Sequence, residues 1–221
     1  MRRRRPLSVL AALSLVVPLL AAAAPAARTA ATSGAEAWKT LDSVRDSLRA
    51  AGPTRAEFVQ TYVPAGFSTG DSERGEMSLA LPDCLRWDYR QPYEKSFLLC
   101  GDLAHYWSSE DRTGRRYKVD RANEPGLDLL LLGVEQLRNR YRATQRRGER
   151  GQVEVHLEPR EDVEALASAT LVVDPAARRL VGLSYRDREG NQTRFEISAY
   201  RALARDGVFD PPRHVRWEQG E

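Results

Sequence analysis

Cysteine, methionine and histidine are scarce in this chain: two, two and three of 221 residues. The histidines, His105, His156 and His214, stand far apart, without an H-E-x-x-H or C-x-x-C spacing to gather them. No metal site is therefore expected, and no cofactor. A G-x-S-x-G elbow is missing, as are a cysteine nucleophile with a partner and a paired-carboxylate constellation, so the expectation is a non-enzymatic protein. His105 lies beside aromatics in a strand and reads as a half-buried structural side chain rather than an acid or base. Internal repeats are absent beyond a regular spacing of strands.

An excess of positive charge is also missing once the first residues are set aside. The chain opens with Arg2 to Arg5, an apolar run from Leu7 to about Ala24 broken by Pro18, and an A-x-A pattern at Ala24-Pro25-Ala26. That is a secretory signal peptide rather than a membrane span, with cleavage expected after Ala26. It takes four of the 34 basic residues with it against 31 acidic ones, so the mature chain is close to neutral. A nucleic-acid partner then has no concentrated field to bind, and none is expected. The remaining cluster Arg138, Arg140, Arg142, Arg146, Arg147 and Arg150 reads as the solvated face of a helix end and loop. No cysteine lies near the cleavage zone, so the expected product is soluble, periplasmic and without a lipid anchor. Residues 27–221 suit one domain, expected as a monomer. Asn191-Gln192-Thr193 is a glycosylation sequon by letter and, behind a bacterial-looking leader, reads as a turn.

What is present is mostly strand. Trp38, Leu41, Val44 and Leu48 fall on one helical face ended by Gly52-Pro53, predicting a helix over Trp38 to Ala50. RAEFVQTYV is a strand, GFSTGDSERG a loop, and EMSLAL, CLRWDY, KSFLLC, LAHYW and RRYKVD follow in close succession, as in an antiparallel meander. GLDLLLLGVEQLRNRY then interrupts with a helical segment apolar on more than one side. VEVHLEP, SATLVVD, RLVGLSYRD and TRFEISAY resume the strands, about ten in all. Pro211-Pro212 keeps the C-terminal segment out of any central strand.

The two cysteines bracket one hairpin. Pairing CLRWDY with KSFLLC about Pro92 sets Cys84 opposite Cys100, Leu85 opposite Leu99, Trp87 opposite Phe97 and Tyr89 opposite Lys95. The four apolar side chains then share one face and the sulfurs the other. Directly opposite α-carbons stand about 4.5 or 5.5 Å apart, within disulfide reach. Outside the cytoplasm such a pair is oxidised, giving a structural staple of about 3 kcal/mol.

Several stretches in order resemble the periplasmic outer-membrane lipoprotein carrier protein family, LolA. They are an N-terminal helix before Phe58-Val59-Gln60-Thr61, Gly75 before a strand, Trp87-Asp88-Tyr89-Arg90-Gln91-Pro92, Gly101-Asp102, Tyr106-Trp107, and Phe209-Asp210-Pro211-Pro212 with Val215. The resemblance implies a mainly β fold with an α-helical lid: a strongly curved antiparallel sheet forming an unclosed half-barrel around an apolar cavity. It implies that acylated lipoproteins pass from an inner-membrane ABC transporter to an outer-membrane receptor; a carrier or binding protein for another lipid or glycolipid, or a non-enzymatic envelope regulatory protein with the same fold, is the alternative. The wall would comprise Met77, Leu79, Leu81, Leu85, Trp87, Tyr89, Phe97 and Leu99 of the sheet, with Leu129, Leu130, Leu132 and Val134 of the lid. By pattern alone the same residues also read as ordinary core. Where the family commonly has an arginine that ties the lid to helix carbonyls, this chain has Leu81 before Pro82, which cannot donate such bonds.

Overall fold

The computed structural model describes residues 34–108, 112–121, 124, 126–131, 133–161, 166–204 and 207–220. The expected leader, Met1 to Ala26, and Leu132 lie outside the described residues. Helix α1 (Gly34–Ala51) precedes β1 (Thr54–Val63), β2 (Asp71–Ala80), β3 (Cys84–Gln91), β4 (Lys95–Cys100), β5 (Leu103–Ser108) and β6 (Thr113–Lys118). Two short helices, α2 (Leu127–Leu131) and α3 (Val134–Arg140), lead into β7 (Tyr141–Arg147), β8 (Val153–Pro159), β9 (Leu166–Asp174), β10 (Arg179–Asp187), β11 (Gln192–Ala202) and β12 (Arg216–Gln219). All twelve strands join one curved sheet in the order β12-β6-β5-β4-β3-β2-β1-β11-β10-β9-β8-β7, so β12 and β7 remain unjoined edges. Neighbours are antiparallel except β12, which runs parallel to β6.

Three expectations change. The arginine-rich run after Arg138 is not loop: it forms edge strand β7, with Tyr141 and Ala143 buried and Arg142 and Thr144 exposed. Arginine at alternate positions is compatible with a strand whose outer face meets water, and charge on an edge discourages pairing with another chain. Asp71 to Gly75, expected as loop, opens β2. Its Gly75 sits at a register shift against β3, where a Cβ would lie 2.1 Å from the Asp88 carbonyl oxygen, so no other residue fits without moving backbone. The helical insertion is two helices rather than one, divided beside Gly133.

The hairpin register is the expected one, Cys84 opposite Cys100, Leu85 opposite Leu99 and Trp87 opposite Phe97, and the cysteines form a disulfide. Its apolar face joins the main core with Phe58, Met77, Leu157 and Leu183, which α1 covers with Trp38, Leu41 and Val44. The cysteine face carries a second core. Leu98, Trp107 and Val215 are buried there, with Cys100, Phe209 and Trp217 against them. The C-terminal arm thus crosses the outer face before pairing as β12, held by Arg86 Nη1 donating to the Val208 carbonyl at 2.8 Å. Gly114 makes room for it, since a Cβ there would meet the Trp217 ring at 2.5 Å.

His105 lies in this second core. Its ring meets Trp217 edge-on at 4.7 Å between centroids, and its buried Nδ1 has no hydrogen-bond partner. Burial, then nearby Arg116, holds its pKa below the usual histidine value. Neutral imidazole packs there and imidazolium does not.

Two outcomes follow. Cys84→Ala with Cys100→Ala should lower unfolding free energy by about 3 kcal/mol in urea titrations, since the reduced chain regains the freedom of the closed loop. For His105, the unfolded chain binds the proton more readily than the folded one. Its contribution to stability is therefore present above about pH 6.5 and lost as pH falls toward the lowered folded value. Urea midpoints measured downward from pH 7 should fall less steeply for His105→Phe than for the parent.

Candidate functional site

On the inner face, α1 and the two short helices meet over β9 and β10. The apolar side of α1 supplies Leu41, Val44 and Leu48, the short helices Leu129, Leu130 and Leu137, and the sheet Leu171 and Leu180, with Leu81 closing one end. Between them lies an apolar crevice of only about 40 Å³. Ligand sites for drug-sized molecules have roughly 300–1,000 Å³, so this interior is filled by its own leucines. Leu129 is 2% exposed, and Leu131, Val134 and Leu137 are buried, whereas Leu127 and Leu130 are only partly covered.

Helices of five and seven residues are too short to persist on propensity alone. Local bonds help: the Gln136 side chain accepts from Gly133 N at 2.9 Å, and Leu130 N donates to the Gly126 carbonyl at 3.3 Å. Longer-range ties come from α1, one of them Arg138 of α3 with Asp42 at 2.9 Å. Arg45, 7% exposed, donates from Nη2 to the Leu129 carbonyl at 3.0 Å. An arginine therefore does fasten the lid, but it stands on α1 rather than at position 81. Burial, then repulsion from Arg49, lowers its pKa to about 10, with Asp42 pulling the other way, so it remains charged at neutral pH.

The sheet floor beside the crevice is aromatic. Trp87 packs on Phe97 at 5.8 Å and Phe195 at 6.4 Å, and Phe58 meets Tyr89 edge-on at 5.1 Å. Tyr89 Oη donates to Gln60 Oε1 at 2.7 Å, while Lys95 Nζ sits 4.5 Å over its ring and 2.6 Å from Glu73. Burial, then Glu73, raises the Tyr89 pKa, keeping that hydroxyl a donor. Trp87 Nε1 is buried with no hydrogen-bond partner.

Of the residues expected at the site, Leu81, Leu129 and Leu130 line the crevice. Met77, Leu79, Leu85 and Leu99 are buried in the floor, Trp87, Tyr89 and Phe97 form the aromatic strip, and Val134 is buried at the start of α3. The α1 leucines, Leu171, Leu180 and Arg45 were not anticipated there. Arg45 was detectable, because it falls four residues after Leu41 and three before Leu48, on the apolar stripe itself. Among the described residues no cluster of three or more His, Cys, Asp or Glu could hold a metal, and no helix is long and apolar enough to cross a membrane.

The family model for the outer membrane lipoprotein carrier protein LolA matches residues 51–210. No curated protein matches the chain. Among solved structures, an uncharacterized conserved protein from Thermus thermophilus superposes with a TM-score of 0.55 at 11% identity, covering 84% of this chain and 99% of its own. MucB superposes at 0.51 with 14% identity, over 81% of this chain and 64% of MucB. The Pseudomonas aeruginosa MucA/MucB complex gives 0.46 at 13% identity, over 82% of this chain and 62% of the other. At these identities the likeness is one of fold.

Leu129→Ala should cost about 3 kcal/mol of unfolding free energy, because it empties a fully buried site. Leu130→Ala should cost about 1 kcal/mol, since water already reaches that side chain. Equal losses in chemical denaturation would mean that the lid is packed differently.

Proposed function

The chain belongs to the outer-membrane lipoprotein carrier protein (LolA) family, and from that premise we propose that it is a periplasmic carrier. It shields the acyl chains of lipoproteins between sheet and lid and hands them to an outer-membrane acceptor. The observation that carries this reading is an apolar seam closed by two helices of five and seven residues, whose leucines occupy the space an acyl chain would take.

Magnitudes favour exchange. Lifting the lid re-exposes Leu129 and Leu131 at about 1.5–3 kcal/mol each, while each buried methylene of a ligand contributes about 0.8 kcal/mol. An acyl chain burying about a dozen methylenes therefore offsets the loss of the lid contacts. Transfer needs no catalytic residue, only a partner that stabilises the open state. The family supplies the expectation of an inner-membrane ABC transporter as donor and an outer-membrane receptor as acceptor, and the Met1 to Ala26 leader supports export.

A photoreactive phenylalanine analogue placed at Leu130 and activated in cells is the direct test. Adducts with acylated lipoproteins are expected. Adducts with free lipid alone would replace this reading with carriage of another lipid, and adducts with an unacylated protein segment would replace it with a regulatory role.

A further inference from the structure

Arg45 is a charge out of place. It lies on the apolar stripe of α1 between Leu41 and Leu48 and is 7% exposed. Its hydrogen bond goes to a neutral acceptor, the Leu129 carbonyl at 3.0 Å, and among the described residues it forms no ion pair. A buried guanidinium is costly unless an anion accompanies it, and with five donors in a planar fork Arg45 has capacity beyond the Leu129 carbonyl, its other nitrogens not being sealed off from the groove.

Its position supplies the rest. On one side is the apolar crevice of about 40 Å³; on the other, Arg45 borders a groove of about 300 Å³ between α1 and α3, lined also by Asp42, Arg49, Glu135 and Arg138. The groove's acids offset Arg45 only in part: Asp42 acts on it at longer range without forming an ion pair. Asp42 is taken by Arg138, at 2.9 Å from its Nη2, and Glu135 stands 3.8 Å from the same guanidinium. Arg49 has Asp46 at 3.8 Å, with both side chains half or more exposed. Two guanidiniums one helical turn apart thus face the groove, next to an apolar slot.

We propose that Arg45, with Arg49, binds the anionic headgroup of the acyl-bearing ligand, a phosphate or carboxylate close to the chain, while the chain displaces the lid leucines. This rests on the acyl-carrier part of the proposed function and specifies an acidic amphiphile as cargo, which is the free-lipid outcome of the Leu130 crosslinking rather than the lipoprotein one. The guanidinium that would take the headgroup is also the one that holds the Leu129 carbonyl. A charge-assisted bidentate pair is stronger than a bond to a peptide carbonyl, so the headgroup competes with the lid for its fastening. Ligand entry then weakens the lid's tie where the chain must pass.

The test uses the full mature chain and three amphiphiles with the same sixteen-carbon acyl chain, 1-palmitoyl-lysophosphatidylglycerol, palmitate and neutral 1-monopalmitin. Each is titrated below its critical micelle concentration and followed by tryptophan fluorescence. The parent should bind at least one anionic probe about tenfold more tightly than monopalmitin. Preference for the lysophospholipid alone assigns a phosphate site, and for palmitate alone a carboxylate site. Arg45→Met should abolish the preference, read as the ratio of anionic-probe to monopalmitin affinity so that any effect of the lid on all three probes cancels, and Arg45→Lys should keep part of it. Melting curves establish that both variants fold, and the headgroup ratio does not move if Arg45 is only a brace. Equal binding of all three probes by the parent, or an undiminished preference in Arg45→Met, overturns the headgroup role and leaves the carrier reading intact. Binding of none of them overturns the headgroup role, and the carrier reading falls with it only if crosslinking at Leu130 also yields no lipid or lipoprotein adduct.

Discussion

An antiparallel sheet that is apolar along its inner face and does not close has one requirement that governs everything else: something must cover that face. Closure into a barrel would bury it permanently, and a long helix packed across it would come close to doing the same. Here α1 lies over β7 and β10, and two helices of five and seven residues pack beside it around the crevice. Elements that short borrow nearly all their stability from contacts. The cover is therefore the part of the molecule with the least stability of its own.

The outer face has the opposite character. The Cys84–Cys100 disulfide, the Leu98, Trp107 and Val215 cluster, and the returning C-terminal arm make a second core behind the same hairpin whose front face forms part of the floor. Two cores on opposite sides of β3, β4 and β5 pack those strands from both faces. Cross-strand staples and edge-on aromatic contacts, such as Trp107 on Trp217 at 5.8 Å, suit a wall that does not move. The division of labour follows: a rigid back, a fixed aromatic floor and a front closed by contacts of limited area.

Much of this was legible from residue patterns, and the misses have physical causes. The hairpin register was readable because apolar alternation and cysteine spacing independently required the same pairing. Strand β7 was not, because α3 runs into it at Tyr141 with no glycine or proline between, and arginines occur as readily in helices as on a solvated strand face. The second core escaped notice because its members come from β4, β5 and a segment more than a hundred residues later, and no periodicity links them. Within the site, the lid leucines were visible as an over-apolar helix. The part played by Leu171 and Leu180 depended on which strands α1 lies across, which is settled by packing rather than by pattern.

Moving the lid's arginine tie from position 81 to α1 changes what the tie can sense. An arginine in the turn between β2 and β3 would hold the helices from the sheet side, whereas Arg45 holds α2 from α1 and borders the groove between α1 and α3. Leu81 then becomes one more apolar contact in the crevice. A fastening between sheet and lid responds to anything that separates the two layers. A fastening between helices, placed at the mouth where a polar groove meets an apolar slot, responds to the chemistry of what enters that mouth. On the proposed carrier reading, leucine at 81 with arginine at 45 would couple closure to the headgroup end of the ligand rather than to the acyl end alone.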